Sequence, residues 1–115
     1  MFKIFTNLYG NKIDHKGFQE IVSVGDFIDL PDNTNLFELG DQSDSIFFLV
    51  SGLLKAFVPL NGSPVSVGEI YEGEVIGEMG ILSDEPRSAS VFSTRRSLVF
   101  KLNKSITTKL MMKYP

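Results

Sequence analysis

Short runs of branched and aromatic residues recur along the chain, separated by clusters of turn-forming residues at Asp32-Asn33, Gly40-Asp41, Asn61-Gly62, Gly73 and Asp84-Glu85-Pro86. The runs are Leu36 to Leu39, Ser45 to Val50, Leu53 to Leu60, Val65 to Tyr71, Ala89 to Ser93 and Ser97 to Leu102, several of them alternating apolar with polar positions. That pattern predicts a mainly β domain, a sandwich or a barrel. Asn61-Gly62 lies between Phe57-Val58 and Val65-Ser66-Val67 and predicts a tight hairpin, because both turn residues tolerate positive φ. Pro59 and Pro64 flank that turn, which places part of the hairpin at a sheet edge. The two ends read as helix. Ser105 to Tyr114 carries Ile106, Leu110 and Met111 on one face, behind Asn103 as a cap and before Pro115. Residues 14 to 22 predict a second helix.

A chain of 115 residues, with 43% hydrophobic and 22% charged positions, has the size and composition of one soluble domain with a sizeable core. Zero Cys rules out a disulfide framework, a thiolate metal site and a cysteine nucleophile, and it suits a reducing compartment. Eleven basic against fourteen acidic residues leave a net charge of -3, and no basic run exceeds Arg95-Arg96, so bulk attraction to nucleic acid or an anionic membrane is not expected. No apolar stretch approaches the length of a transmembrane helix, and the N-terminus lacks a signal pattern. A cytoplasmic domain is the expectation.

Candidate chemistry is sparse. The lone His15, among Asp14 and Lys16, reads as a surface residue, since nothing nearby offers triad or metal-ligand spacing. Without a well-placed base the many Ser hydroxyls do not make a nucleophile. Acidic pairs such as Glu72 with Glu74 and Asp84 with Glu85 read as solvated loop charges. No metal, no cofactor and no catalytic residue are expected.

The segment from Gly73 to Val91 is different. Gly77 and Gly80 permit close backbone approach, and free N–H groups at the start of a short helix around Gly77 to Met79 suit an anion. Arg87 offers a planar, permanently charged fork for phosphate oxygens. Ser88 and Ala89 are small, and the Ser88 hydroxyl adds a donor. Glu78 cannot help to bind an anion, but it accepts a hydrogen bond from a hydroxyl; together Glu78 and Arg87 describe a ligand with a hydroxyl near a phosphate. A ribose 2′-OH beside a 3′,5′-cyclic phosphate meets that description. From Gly77 to Arg96 three acidic residues oppose three Arg, so placement and not bulk charge supplies specificity. The competing role for Arg87 is a salt bridge to Asp84 or Glu85.

Gly77, Glu78, Leu82, Pro86, Arg87, Ser88, Ala89 and Val91 resemble the Gly-Glu-x-x-Leu turn and the Pro-Arg-Ser/Thr-Ala-x-Val ending of the phosphate-binding cassette in cyclic-nucleotide-binding domains. These are the modules of kinase regulatory subunits, gated channels and catabolite activator proteins. Upstream, Phe37, Gly40-Asp41, Asp44, Phe47, Leu49 and Gly52 resemble that family's Phe-x-x-Gly-Asp-x-x-Asp strand-turn-strand pattern. The resemblance spans residues 23 to 115 and implies an eight-stranded antiparallel β-roll (a jelly-roll) with short flanking helices, preceded by a partly helical segment at residues 1 to 22. The chain departs from the family at Pro31-Asp32-Asn33, where Pro-Gly is common and Asn keeps the turn. It departs again at Ile76, where Phe is usual, and at Pro115, beyond which the family's lid helix is expected and the chain stops.

The resemblance implies ligand-binding roles for Gly77, Glu78, Met79, Arg87, Ser88 and Ala89, with Glu78 on the ribose 2′-OH and Arg87 on the cyclic phosphate. Val65, Val67, Val75 and Ile76 are candidates for the apolar wall. The implied ligand is a cyclic nucleotide, cAMP ahead of cGMP, although the Ser88 hydroxyl also suits a guanine amino group. The implied role is a regulatory switch that passes a shift of the C-terminal helix to a downstream effector domain of a longer protein. The segments 68–79 and 85–91 are also similar to modules ahead of patatin-like esterases, but no lipase motif is present. Two other readings remain: a module of this fold that binds no nucleotide, and a small enzyme of related β architecture, which the lone His disfavours.

Overall fold

The run Ile46 to Val50 has no polar interruption because both faces of its strand are covered. A computed structural model describes residues 15–78 and 83–113. In it a helix, α1 (His15–Val24), precedes eight strands: β1 (Asp26–Leu30), β2 (Asn35–Phe37), β3 (Ser45–Ser51), β4 (Leu54–Leu60), β5 (Ser63–Ile70), β6 (Val75–Ile76), β7 (Ser90–Ser93) and β8 (Ser97–Asn103). A second helix, α2 (Lys104–Lys113), follows. The strands form two four-stranded sheets, ordered β1-β8-β3-β6 and β2-β7-β4-β5, and every pairing is antiparallel. This is the β-roll that the resemblance implied.

Successive side chains on a strand point to opposite faces, and β3 and β8 use both. Ile46, Phe48, Phe100 and Leu102 turn outward to meet Ile21 of α1, with Ile106 of α2 packed against the group. Phe47, Leu49 and Val99 turn inward, where they join Leu30, Leu54, Ile76 and Val91 between the sheets. Two apolar clusters thus share one central pair of strands. Ile21 belongs to the first of them, so the N-terminal segment contributes to the core through α1. The turn between α1 and β1 passes so close to Phe100 that a Cβ on Gly25 would lie 2.2 Å from the ring, which only a glycine avoids.

The turns follow the predicted chemistry. Asn61 and Gly62 take φ of 52° and 82°, a two-residue hairpin turn of the primed type, with Pro59 opposite Pro64 in the β4–β5 register. β5 is an edge strand, which is where proline is tolerated. Asn33 takes φ of 54° and so keeps the turn that Pro-Gly makes elsewhere. α2 begins at Lys104, and the Asn103 Oδ1 accepts a hydrogen bond from the Ile106 N–H at 2.9 Å, a side-chain cap. The α1 prediction holds with a two-residue extension to Val24. The side chains of His15, Leu110 and Met111, and residues 114 and 115, lie outside the described residues. Among the described residues no helix is long and apolar enough to cross a membrane.

Phe100 stands at the centre of the first cluster, whereas Phe57 stacks on Phe92 outside both clusters, with ring centroids 4.8 Å apart. Phe100→Ala is expected to cost about 3–5 kcal/mol of stability, and Phe57→Ala about 1 kcal/mol. Urea denaturation of both variants measures the contrast, and equal losses would contradict this assignment of the core.

Candidate functional site

Arg87 enters the site already fixed at its backbone. Its N–H donates to the Asp41 carbonyl at 2.8 Å, and its carbonyl accepts from the Gly40 N–H, also at 2.8 Å. The turn that makes these bonds is itself tied down. Gly40 has φ of 88°, the Asp41 carboxylate accepts from the Glu38 N–H at 2.9 Å, and the Ser90 hydroxyl accepts from the Leu39 N–H at 2.9 Å. Two residues beyond Asp41, the Ser43 hydroxyl donates to the Glu85 carbonyl. The upstream pattern around Phe37 to Asp44 therefore serves as the clamp on the loop that carries Arg87.

The Arg87 side chain is 5% exposed, unusual for a charged group. Nη2 donates to the Ser45 carbonyl at 2.6 Å. The guanidinium carbon lies 4.3 Å from the ring centre of Phe37 and 5.6 Å from that of Phe47, so the cation sits over aromatic faces. Nε and Nη1 are buried and have no hydrogen-bond partner among the described residues. Burial pushes the guanidinium pKa below its ordinary value, and the nearby charges of Asp44 and Asp41 pull it back up. The group stays a cation at neutral pH. A buried N–H without an acceptor costs about 1–3 kcal/mol, more when charged. Arg87 is thus incomplete, with two donors that await acceptors.

Gly77 closes over this cation. Its φ is 86°, and a Cβ there would stand 2.1 Å from Arg87 Nη1. Only glycine meets both constraints. Beside it opens a cleft of about 390 Å³ lined by Ile76, Gly77, Glu78, Arg87, Ser88 and Ala89, among others. Glu78 is helical and exposed. Six of the eight residues singled out from the sequence thus meet at one cleft. Met79 lies outside the described residues. Val67 does not line the cleft; it falls where the β4–β5 register shifts and is 57% exposed. Val65 is absent from the lining as well, whereas Val75 is part of it.

Ala56 and Ile70 take the place of Val65 and Val67 in the wall, and Phe37, Ser43 and Glu85 complete the rim. Alternation along β4 places Ala56 on the same face as Leu54, a signal the sequence carried. The bulge that removes Val67 from this face is foreshadowed only by Gly68. The competing role for Arg87, a salt bridge to Asp84 or Glu85, is not seen among the described residues. Asp84 pairs instead with Lys104 Nζ, and this pairing lowers the Asp84 pKa through a hydrogen bond and charge attraction.

Comparison with known proteins gives three kinds of match. The family model for the cyclic nucleotide-binding domain matches residues 27–114. Over 98 residues the chain is 28% identical to the Pycsar effector protein XpPycTIR of Xanthomonas perforans, an alignment that covers 84% of this chain and 31% of that protein. Over 81 residues it is 27% identical to the lysophospholipase nte1 of Aspergillus fumigatus, covering 70% of this chain and 5% of that protein. The chain thus spans less than a third of the length of these curated relatives. Among solved structures, the regulatory domain of Toxoplasma gondii PKA with cAMP superposes with a TM-score of 0.84 at 21% identity, over 93% of this chain and 41% of that one, a likeness of fold.

Replacing Arg87 by Met removes two unpaired buried nitrogens along with the two hydrogen bonds from Nη2 to Ser45 and the contacts with the Phe37 and Phe47 rings. The expected change in stability without ligand is within about 1 kcal/mol, because these terms offset one another. Thermal or urea denaturation checks this, and a loss above about 3 kcal/mol would make Arg87 a structural group.

Proposed function

The chain belongs to the cyclic nucleotide-binding domain family, and from that premise we propose that it binds a 3′,5′-cyclic nucleotide, cAMP ahead of cGMP, as a regulatory module of a longer protein. The observation that carries this reading is the buried guanidinium of Arg87, whose Nε and Nη1 lack acceptors beneath Gly77. Two phosphate oxygens satisfy both donors and neutralise the charge at once. Glu78, on the same cleft, accepts from the ribose 2′-OH. Gly77, Ser88 and Ala89 supply backbone or hydroxyl donors, and Ala56, Ile70, Val75 and Ile76 form the apolar wall. Val67 is left to the exposed rim. No catalysis is assigned to this chain; the lysophospholipase relative is a far longer protein, of which the alignment covers 5%. The ranking of cAMP leans on the cAMP complex of the fold relative, while the Ser88 hydroxyl leaves a guanine contact open.

The same geometry supports transmission. Lys104 opens α2, and its N–H donates to the Asp44 carbonyl at 2.7 Å while its Nζ pairs with Asp84. A cation in the first turn of a helix is disfavoured by the helix dipole, and the Asp84 carboxylate offsets that. The loop that carries Arg87 is therefore joined to the first residue of α2. Ligand that draws residues 84–87 toward the phosphate biases α2, by no more than its differential affinity for the two positions.

Calorimetric titration with cAMP and cGMP tests the binding. Heat and a thermal shift are expected with at least one of them, and neither at millimolar ligand would leave a module of this fold that binds no nucleotide. Arg87→Ala is expected to weaken binding by about 1.5–3 kcal/mol. A 2′-deoxy cyclic nucleotide is expected to bind less tightly; equal affinity for both sugars would remove Glu78 from the ribose. Asp84→Asn is expected to reduce the ligand-induced change in α2 amide exchange, and an unchanged response would exclude the Asp84–Lys104 pair as the link.

A further inference from the structure

The charges around the cleft do not match those of a general phosphate site. Among the described residues its ionisable lining groups are Glu78, Glu85 and Arg87, two carboxylates against one guanidinium. Residues 79–82 are Met, Gly, Ile and Leu and add no charge. Arg87 also feels the carboxylates of Asp41 and Asp44. The nearby cation Lys104 is engaged by Asp84, and Arg96 by Asp29. Glu85 has no ion-pair partner among the described residues, and the bond from the Ser43 hydroxyl to its carbonyl fixes its backbone at the rim.

Resting on the reading of this cleft as a site for a nucleotide phosphate, we infer that Glu85 is a specificity-determining residue that makes the cleft accept a phosphodiester monoanion and reject a phosphomonoester dianion. One negative charge neutralises Arg87, and two oxygens satisfy its two free donors. A phosphomonoester carries about −1.5 to −2 at pH 7. Its second charge finds no second cation among the described lining residues and shares the cleft with the exposed carboxylate of Glu85, and like charges repel. Glu78 contributes to the same repulsion but has a hydroxyl to bind; Glu85 has no such task. The filter therefore acts through charge, independently of whether the phosphate is closed into a ring.

The inference makes a scaling prediction. If Glu85→Gln raises the affinity for a monoanion by a given factor, it raises the affinity for a dianion by about the square of that factor, since the repulsion removed is doubled. At low ionic strength, where screening is weak, a gain of about threefold for cAMP corresponds to about tenfold for adenosine 5′-monophosphate. The methyl phosphodiester of that nucleotide, an open-chain monoanion, is expected to gain as cAMP does. Competition calorimetry against cAMP measures all three ligands on the wild-type and Glu85→Gln chains, with thermal denaturation to confirm that the variant folds. In the wild-type chain, lowering the pH from 7.5 to 5.5 converts the monoester toward a monoanion. Its affinity is expected to rise while that of cAMP stays level.

Equal gains for all three ligands, no gain for any, or a monoester affinity that ignores pH would overturn the role of Glu85. A monoester that competes with neither chain would also overturn it, since exclusion would then be steric. Failure of cAMP to bind the wild-type chain would instead overturn the reading of the site.

Discussion

An unsatisfied cation governs this molecule. Arg87 is buried to 5% exposure with two guanidinium nitrogens unpaired among the described residues, a condition that lowers stability and persists only where neighbouring structure enforces it. Here the enforcement is visible at every level. The backbone of Arg87 is held by Gly40 and Asp41, its side chain by Ser45 and Phe37, and its cover by Gly77. Gly40 and Asp41 share one turn, Phe37 lies on β2, Ser45 on β3 and Gly77 just after β6, so the position of the cation depends on both sheets being assembled. Charge placement completes the arrangement, since Asp41 and Asp44 hold the guanidinium in its ionised form without taking up its free donors.

The fold makes such a site sustainable by building it against buried apolar residues, Phe47, Ile76 and Val91 among them. β3 and β8 bury side chains on both faces and link the helices to the interior of the roll. The cleft borders the inner cluster, with which it shares Ile76 and Val91, at a point where β6 is two residues long and the loop between β6 and β7 carries the polar groups. Ser45 joins the two regions. It begins β3, and its carbonyl is the one acceptor that Arg87 Nη2 uses at short range.

Much of this was legible in the chain itself. The Asn61-Gly62 turn and the Asn103 cap rest on local backbone chemistry, which acts the same way in any fold, and both appear as read. The chemistry-bearing residues Gly77, Glu78 and Arg87 to Ala89 fall within one short stretch of the sequence, so they could be read as a group before any long-range contact was known. β1 and β6 were not singled out: Asp26-Phe27-Ile28-Asp29-Leu30 has acidic residues at both phases, and Val75–Ile76 is too short to show a period. The wall of the cleft was read one step out of phase, with Val67 in place of Ala56 and Ile70, because a bulge shifts side chains between faces and a period-two pattern cannot register it. The dependence of Arg87 on Phe37 and Ser45 was equally hidden, since 40 to 50 positions of sequence separate them and only the closed roll brings them into contact.

The near-complete exposure of β5 bears on kinetics. This strand hydrogen-bonds on one side only, to β4, and seven of its eight residues are exposed. It nonetheless carries Ile70 into the wall of the cleft. Elements with little buried contact open at lower free-energy cost than the core. The Ile70 side of the cleft wall is therefore expected to open at a lower free-energy cost than the domain as a whole, so that the shape of the cleft fluctuates while the core stays folded.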